Sequence, residues 1–549
     1  MDNRFLAIIE NSIKDNWDLP ALSDYSGNAY KYKDFASKIA ELHILFDSLN
    51  IETGDKIAIC GRNTSNWAVA FFATISYGAV PTTILHDFNG ENIHNIINHS
   101  EAKILFSGEF VWEKLDPKEF PGVETIFIID DFSIIKSRSE KTIELCSDLD
   151  AAMSAKYPAG FSKEDVKYHM EQPDEPAVLN YTSGTTSSPK GVLIPYRSLW
   201  SNTQFAIDSI PFVKRGDGFV SMLPMAHMYG LAFEILLSIA KGCHVHFLTR
   251  VPSPQVIMES FSKVKPSLII AVPLIIEKII KTKVFVELDK QPTKLLLKLP
   301  IINKIIYRKV AEKLMAVFGG NMVEVVIGGA GLNQEVGDFL TKIKFPYTVG
   351  YGMTECGPLI SYEYWDTYKA GSCGKPVDRM EVKIDSYDPQ NVSGEIMVKG
   401  MNVMLGYYKN DEATKEVLED DGWMHTGDLG IVDDEGRLYI KGRNKTMILG
   451  PSGQNIYPEE IEGLLNNYSF VLESLIIEED GKLVALIVPD NDLLEAAHIK
   501  PAQVDGIFNQ HIKSLNKRLP NYSQIVKIKI MEKEFEKTPK RSIRRFLYQ

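Results

Sequence analysis

One hydroxyl-rich stretch is the most informative part of the sequence, and it reads Tyr181-Thr182-Ser183-Gly184-Thr185-Thr186-Ser187-Ser188-Pro189-Lys190-Gly191. Gly184 and Gly191 allow the backbone to approach an anion closely, the hydroxyls add hydrogen-bond donors, and Lys190 supplies a positive charge. The spacing is not that of the Walker A loop, GxxxxGK[ST]. The stretch therefore predicts a phosphate-binding loop of another kind, although its composition alone is also typical of a solvated turn.

Length and charge limit the classes of protein to which the chain can belong. With 549 residues it is too long for one hydrophobic core, so we expect a large domain and a smaller one. Its formal net charge of −12 at pH 7 argues against a nucleic-acid-binding protein, because such proteins neutralise phosphates with lysine and arginine. The expected partners are small molecules.

The cysteines and the apolar runs indicate the cellular compartment in which we expect the protein. The five cysteines are scattered and none lies in a CxxC motif, so the sequence indicates neither a disulfide framework nor a zinc site. No signal segment opens the chain, and the longest apolar run, residues 268–276, is about half as long as a membrane span. We expect a cytoplasmic protein that is not integral to a membrane.

The order of apolar segments predicts an α/β fold. Short apolar strands alternate with helix-length segments from residue 56 to residue 129 and again from 218 to 327, which predicts two layered α/β subdomains with parallel sheets. Short strands and glycine turns at 371–438 predict a small β-rich subdomain. The remaining hundred or so residues predict a small α/β lid at the C-terminal end.

Three further motifs carry residue types that suit a nucleotide. Residues 325–332 (VVIGGAGL) predict a strand that ends in glycines, which allow a planar ring to approach the backbone. Residues 349–355 (VGYGMTE) offer an aromatic face, a hydroxyl for an oxyanion and a hard carboxylate for a hard cation. In residues 422–430 (GWMHTGDLG), Asp428 lies in a glycine-flanked turn, where it can accept both hydroxyls of a ribose.

These motifs, in this order and spacing, resemble those of the adenylate-forming superfamily, which contains acyl-CoA synthetases, peptide-synthetase adenylation domains and luciferases. The resemblance implies ATP as a substrate and assigns its binding to Thr182, Ser183, Gly184, Thr185, Thr186, Gly329, Ala330, Tyr351, Gly352, Asp428 and Arg443. It also implies that Lys190 and Thr354 act on the phosphates. Glu355 is implied to hold Mg²⁺.

The resemblance further implies two domains, residues 1–443 for adenylation and residues 444–549 as a mobile lid. The hinge position falls on Lys445, where many members of the superfamily carry aspartate. His227, at the end of a predicted strand, is implied to line the acyl and coenzyme A tunnel, although a lone histidine beside methionines is also typical of a core residue. Gly453 is expected to approach the thiol donor.

Residues 284–320 depart from the α/β pattern, because they are both apolar and rich in lysine. Such a segment can lie against a membrane surface, or it can form a helical hairpin whose lysines face water. A comparable insertion is typical of long-chain fatty acyl-CoA synthetases. The resemblance thus implies a fatty acid and coenzyme A as the other substrates. An enzyme that loads an acyl carrier protein and an inactive nucleotide-binding homologue stay open as alternatives.

The last motif differs from the superfamily pattern. Residues 537–545 read KTPKRSIRR, and Ser542 stands where the superfamily usually has a lysine that reaches the substrate carboxylate and the α-phosphate. If the segment is extended, Lys540 lies on the same side two residues away, at ~6.6 Å, so we predict that Lys540 replaces the missing lysine. Lys537 and Arg541 are weaker candidates, and a solvated basic terminus is the other interpretation.

Overall fold

The structure is a computed structural model that describes residues 3–182, 189–249, 254–449, 454–538 and 543–548. Six residues with predicted roles lie outside this part of the chain: Ser183, Gly184, Thr185, Thr186, Gly453 and Lys540. The predicted fold class is confirmed, because the chain forms a large mixed α/β assembly followed by a small α/β unit. The division at residues 443 and 444 stays a prediction.

An eight-stranded sheet forms the centre of the first subdomain. From one edge to the other its strands are Gly406–Tyr407, Lys190–Pro195, Pro176–Thr182, Val80–Ile84, Lys56–Cys60, Ile104–Ser107, Thr125–Ile128 and Ile134–Ser137. The five strands in the middle are parallel, and the remaining three pair antiparallel at the two edges. The parallel strands are buried along most of their length because helices cover both faces.

One helix of this subdomain, Ser65–Tyr77, is buried on every side. All residues from Ser65 to Ser76 are buried, and Trp67 and Phe71 stack with their ring centroids 5.7 Å apart. Burial of an aromatic side chain of this size contributes about 1.5–3 kcal/mol. The Thr64 hydroxyl accepts a hydrogen bond from the Trp67 amide at the start of the helix, and Gly78 ends it with φ +93°.

The other helices of this subdomain cover the sheet or connect its strands. They are Phe5–Asp15, Tyr32–Ser48, Gly90–Ser100, Glu109–Trp112, Glu140–Ser147, Leu149–Lys156 and Tyr196–Ser209, with a 3₁₀ turn at Lys163–Asp165.

The second subdomain divides its strands between two sheets. One sheet has the order Gly218–Ser221, His244–Phe247, Pro20–Asp24 and Ala29–Lys31, so two strands from the N-terminal segment complete it. The other sheet is parallel and contains Leu268–Ala271, Glu324–Ile327 and Tyr347–Val349. The alternation predicted for residues 218–327 agrees with four of these strands, but the sequence did not predict that residues 20–31 pair with them.

Helices also surround these two sheets. They are Met228–Gly230 with its continuation Leu231–Leu236 and Leu237–Ala240, Pro254–Val264, Pro273–Ile279 with Ile280–Phe285 and Val286–Asp289, Thr293–Leu296, Pro300–Val317 and Gln334–Lys342. Leu231–Leu236 and Ile280–Phe285 are π-helical. Residues 286–317 form two short helices and one long helix, named the helical hairpin below after the interpretation that the sequence left open beside a membrane-surface segment. No helix in the described ranges is both long and apolar enough to cross a lipid bilayer.

The predicted β-rich subdomain is a four-stranded antiparallel sheet. Its strands, in order, are Met380–Asp385, Gly394–Gly400, Met424–Val432 and Leu438–Arg443, and the helix Asp411–Val417 lies beside it. A small sheet of Tyr351–Gly352, Leu359–Tyr362 and Lys375–Pro376 precedes it in the chain. Arg437 joins the two sheets through a buried ion pair with Glu363, with 2.7 Å between Nε and Oε2.

The C-terminal unit has its own hydrophobic core around Leu465, Ile476 and Phe508. Its main sheet contains Val471–Glu479, Lys482–Pro489 and Ile525–Ile530, and Ile448–Leu449 pairs with Asn455–Ile456. The helices are Pro458–Leu465, Asn491–Ala496 and Pro501–Asn516, with 3₁₀ turns at Asn444–Thr446, Asn521–Ser523 and Arg545–Leu547.

Asn180 connects the central sheet to the loop that precedes His227. Its Nδ2 atom donates to the Thr83 hydroxyl and to the Ala226 carbonyl, both at 2.7 Å, and the side chain is buried. Asn180→Ala leaves both acceptors without this donor, so we expect a loss of about 2 kcal/mol of stability and a lower melting temperature in a thermal scan. Asn98→Ala, which removes an exposed hydrogen bond to Glu119, is the control. Equal melting temperatures for the two variants would contradict this role.

Candidate nucleotide and metal site

The two ends of the predicted phosphate loop lie side by side. Thr182 ends one strand and Lys190 begins the next, and the two residues are partners in an antiparallel pair. The Thr182 hydroxyl donates to the Lys190 carbonyl at 3.5 Å. The loop between them therefore connects two neighbouring strands at the edge of the eight-stranded sheet. Lys190 is held by a strand rather than by the loop itself.

Tyr407 joins Lys190 to Glu355. The strand Gly406–Tyr407 pairs with residues 192 and 193, which places the Tyr407 ring 4.8 Å from the Lys190 ammonium nitrogen. The Tyr407 hydroxyl donates to Glu355 Oε1 at 2.9 Å. Burial, together with the nearby Glu355 carboxylate, raises the pKa of Tyr407, so its hydroxyl stays protonated and donates this bond. The sequence analysis did not identify Tyr407.

Thr354 and Glu355 lie on a 3₁₀ turn that is fixed by buried contacts. The turn Thr354–Cys356 follows Gly352, where a side chain would clash because its Cβ atom would lie 2.2 Å from the Pro358 carbonyl oxygen. Asn202 holds the far side of the turn: its Nδ2 donates to the Cys356 carbonyl at 3.2 Å and its Oδ1 accepts from the Leu359 amide at 3.0 Å. The backbone around Glu355 is thus set before any ligand binds.

Tyr351, Asp428 and Arg443, three residues that the resemblance assigns to nucleotide binding, lie in contact. The Tyr351 hydroxyl donates to Asp428 Oδ2 at 2.7 Å, and Arg443 Nε lies 3.3 Å from Asp428 Oδ1. Burial raises the pKa of the Asp428 carboxyl, the Arg443 guanidinium opposes this shift, and the negative charge of Glu355 adds to it. Asp428 and Glu355 therefore share one electrostatic environment. A ligand that brings positive charge there relieves the repulsion between them.

The turn that carries Asp428 is held by Glu395 from the neighbouring strand. Glu395 Oε1 accepts from the Gly427 amide at 2.9 Å, and Oε2 lies 3.1 Å from His425 Nδ1. The Thr426 hydroxyl accepts from the Asp428 amide at 3.1 Å. Gly427 has φ +73°, which a glycine adopts without strain. The sequence analysis did not identify Glu395, because an isolated acid in a strand carries no pattern.

Gly329 and Ala330 lie exposed directly after the strand Glu324–Ile327. Tyr229 supports this segment from behind, because its hydroxyl donates to the Val326 carbonyl at 3.0 Å. A Cβ atom at Gly328 would lie 2.9 Å from the Tyr229 ring. Tyr229 is two residues after His227, so the predicted base-binding segment and the predicted tunnel segment are in contact.

His227 and Lys445 are placed on separate segments. His227 is half-buried and immediately precedes the helix Met228–Gly230. Lys445 is exposed on the turn Asn444–Thr446, directly after Arg443. The Thr446 hydroxyl donates to Glu459 Oε1 at 2.6 Å, which connects this turn to the C-terminal unit. The tunnel role of His227 and the hinge role of Lys445 stay predictions.

The described residues on either side of Lys540 pair with each other. Lys537 and Ile543 form an antiparallel bridge. That Lys540 replaces the missing lysine stays a prediction. The ammonium of Lys537 lies 2.8 Å from Glu473 and 3.0 Å from Glu534, which ties this weaker candidate to the C-terminal unit. Lys540, Arg541 and Ser542 lie outside the described residues.

The described residues fit a magnesium ion shared with ATP. Mg²⁺ is usually held by one or two carboxylates together with water and substrate phosphates, rather than by a cage of protein ligands. Glu355 supplies one carboxylate, beside Lys190 and the ends of the predicted phosphate loop. Within the described ranges, no group of three or more histidine, cysteine, aspartate and glutamate side chains could hold a metal by itself.

Comparison with known sequences agrees with this geometry. The sequence model of the AMP-binding enzyme family matches residues 9–408, and that of the AMP-binding enzyme C-terminal domain matches residues 445–548. The chain belongs to the AMP-binding enzyme family. The resemblance of its motifs to the adenylate-forming superfamily, and to acyl-CoA synthetases within it, is thereby confirmed.

Among curated relatives of this AMP-binding enzyme is a long-chain-fatty-acid–CoA ligase of Mycobacterium bovis, 27% identical over 82% of this chain and 75% of the relative. Another is 4-coumarate–CoA ligase 4 of Arabidopsis thaliana, 25% identical over 92% of this chain and 84% of the relative. Among solved structures, o-succinylbenzoate coenzyme A synthetase of Bacillus subtilis in complex with ATP and magnesium superposes with a TM-score of 0.73 at 21% identity, covering 98% of both chains. This last likeness concerns the fold.

Glu355→Gln tests the metal-binding role of this carboxylate. The substitution keeps the size of the side chain and removes its negative charge, so we expect adenylation to fall by about 100-fold or more while the melting temperature stays close to that of the wild type. ATP–pyrophosphate exchange measures the first quantity and a thermal scan the second. Wild-type exchange by a normally folded Glu355→Gln protein would exclude the assignment.

Tyr407→Phe and Tyr407→Leu separate the two contacts of this ring. Phenylalanine keeps the ring beside Lys190 but loses the hydrogen bond to Glu355, so we expect exchange to fall about tenfold. Leucine also removes the cation–π contact, and we expect a further loss of about fivefold. Tyr408→Phe is the matched control, because the neighbouring hydroxyl donates to the exposed Glu101. If all three variants behave alike, Tyr407 does not position the site.

Proposed function

We propose that this chain is an AMP-forming ligase that joins a fatty acid to coenzyme A through an acyl adenylate. The observation that supports this function best is the arrangement of Lys190, Tyr407 and Glu355 around one end of the predicted phosphate loop, with Tyr351 and Asp428 in contact nearby. It provides a cation and a carboxylate for the phosphates. It also provides an aromatic ring and a second carboxylate for the nucleoside.

In the first half-reaction, a carboxylate oxygen of the fatty acid attacks the α-phosphorus of ATP. The bond from that phosphorus to the bridging oxygen of the β-phosphate breaks, and pyrophosphate leaves. Two anions must approach each other, and at ~4 Å with an effective dielectric constant near 20 their repulsion is about 4 kcal/mol. Lys190 opposes this repulsion with its charge, while Tyr407 keeps Glu355 oriented. When bound, Mg²⁺ supplies further charge neutralisation at Glu355.

In the second half-reaction, the thiol sulfur of coenzyme A attacks the acyl carbonyl carbon. The bond between that carbon and the AMP oxygen breaks, AMP leaves with the electron pair, and the thiol proton passes to solvent. A free thiol has a pKa near 8.5, so only a minority of it is thiolate at neutral pH. The predicted tunnel residues His227 and Gly453 would lie beside this step.

For the acid, we propose a chain of about twelve carbons or more, because burial of each methylene contributes ~0.8 kcal/mol. Two observations support it: the similarity to the Mycobacterium bovis ligase, and the apolar insertion at residues 284–320. The similarity to 4-coumarate–CoA ligase 4 supports an aromatic acid instead. The compartment that we propose is the cytoplasm.

The products and an acid panel test this function. The full chain is incubated with ATP, Mg²⁺, coenzyme A and one acid from a series that runs from acetate to oleate and includes benzoate and 4-coumarate. We expect acid-dependent release of AMP, formation of the thioester, and fastest turnover with a long-chain acid. Glu355→Gln is the inactive control.

Each other outcome rejects a different part of the proposal. Release of ADP, or no acid-dependent AMP with any acid, would exclude the ligase and favour an inactive homologue. Adenylation without transfer to coenzyme A would favour a carrier protein as the acceptor. Fastest turnover with acetate, benzoate or 4-coumarate would exclude the long-chain acid while leaving the ligase chemistry intact.

A further inference from the structure

The helical hairpin at residues 286–317 presents several apolar side chains to solvent. Leu295 is 58% exposed, Leu299 48%, Ile301 78% and Ile305 52%. The exposed lysines Lys298 and Lys304 lie among them in the sequence. The name "basic apolar patch" is used below for these six residues: Leu295, Lys298, Leu299, Ile301, Lys304 and Ile305.

The opposite face of the same hairpin is anchored to the second subdomain. The Tyr307 ring lies 6.3 Å from Phe339, and the Lys342 ammonium lies 4.5 Å from the Tyr307 ring centroid. Leu314 is buried in the same core, and Phe285 meets Phe339 edge to face at 5.0 Å. The hairpin is therefore packed on one side. Its exposed apolar residues belong to the side that the protein itself leaves uncovered.

Charge is distributed unevenly along this hairpin. Residues 290–311 contain six lysines and arginines and no acid, in a chain whose net charge is −12. Three of these six cations have acidic partners: Lys290 pairs with Glu287, Lys294 with Asp289 and Arg308 with Glu312. In the part of the chain that the structure describes, Lys298 and Lys304 form no ion pair. The two lysines of the patch thus keep their charge available to a partner.

We propose that the basic apolar patch docks the protein on the surface of a lipid bilayer that contains anionic lipids. Apolar side chains with lysines beside them match the boundary between headgroups and acyl chains, where the apolar groups leave water and the cations meet phosphate. A second copy of this chain fits less well, because a symmetric contact would bring the same lysines together. If the proposed function holds, docking also brings the enzyme to the phase into which a long-chain acid partitions.

Vesicle flotation of the full chain tests this docking. The vesicles contain either phosphatidylcholine alone or phosphatidylcholine with about one third phosphatidylglycerol, at low and at physiological ionic strength. We expect the wild type to float with the anionic vesicles and to bind them less tightly as salt screens the lysines. Lys298→Gln/Lys304→Gln should weaken that binding by about tenfold or more, since each lysine near an anionic surface contributes about fivefold.

Three further variants make the test specific. A variant with the four apolar patch residues changed to serine should also lose flotation, although its lysines remain. The matched controls are Leu493→Ser/Val526→Ser, which alters exposed apolar residues elsewhere, and Lys482→Gln/Lys533→Gln, which removes the same charge elsewhere. Both controls should float like the wild type. Because every change is on the surface, thermal scans should show all variants folded, and ATP–pyrophosphate exchange without vesicles should be unchanged.

Three results would overturn the proposal. The first is no flotation of the wild type, or equal flotation with neutral and anionic vesicles. The second is flotation of both patch variants at wild-type affinity. The third is a lipid-independent dimer, seen by analytical ultracentrifugation of the wild type and lost in the patch variants, which would assign the patch to a second copy of this chain.

Discussion

The candidate site depends on one short strand pairing, that of Gly406–Tyr407 with the strand that begins at Lys190. The pairing is at the edge of the eight-stranded sheet, and it brings residues more than two hundred positions apart in the chain into register. It places one tyrosine between a cation and a carboxylate. Because the ring contacts Lys190 and its hydroxyl contacts Glu355, the distance between the two charged groups is set by a rigid side chain rather than by two flexible ones.

Buried polar residues fix the segments around this pairing. Asn180 and Asn202 each reach from a regular element to a loop at the site, and each makes its hydrogen bonds in a dry environment where an unmatched partner is costly. Glu324 does the same for the second subdomain: burial raises its pKa to about 7, and its carboxylate accepts from the Tyr362 hydroxyl and the Trp365 amide. The scaffold thus holds the site loops through specific polar contacts as well as apolar packing.

The sequence predicted the parts of this molecule that depend on local pattern. Glycines, hydroxyls and a lysine marked the stretch whose two ends lie side by side, and the motifs of Tyr351 and Asp428, both assigned to the nucleotide, are in contact in the structure. Within the predicted alternation, the strand Val80–Ile84 carries a weak signal of its own, because it contains a proline, which is unusual in a central strand. The sequence did not predict roles for Tyr407 and Glu395, because these roles come from pairing between distant strands. The role of Lys540 stays a prediction, because this residue lies outside the described part of the chain.

Arg443 occupies a position that connects the nucleotide site to the next part of the chain. It is the last residue of its strand, it lies against Asp428, and the turn Asn444–Thr446 begins at the following residue. That turn is joined to the C-terminal unit through Thr446 and Glu459. A molecule that binds Asp428 in place of Arg443 would therefore free the residue next to this turn. If the predicted hinge at Lys445 lets the C-terminal unit turn, occupancy of the site and orientation of that unit are thermodynamically linked, and the linkage acts equally in both directions.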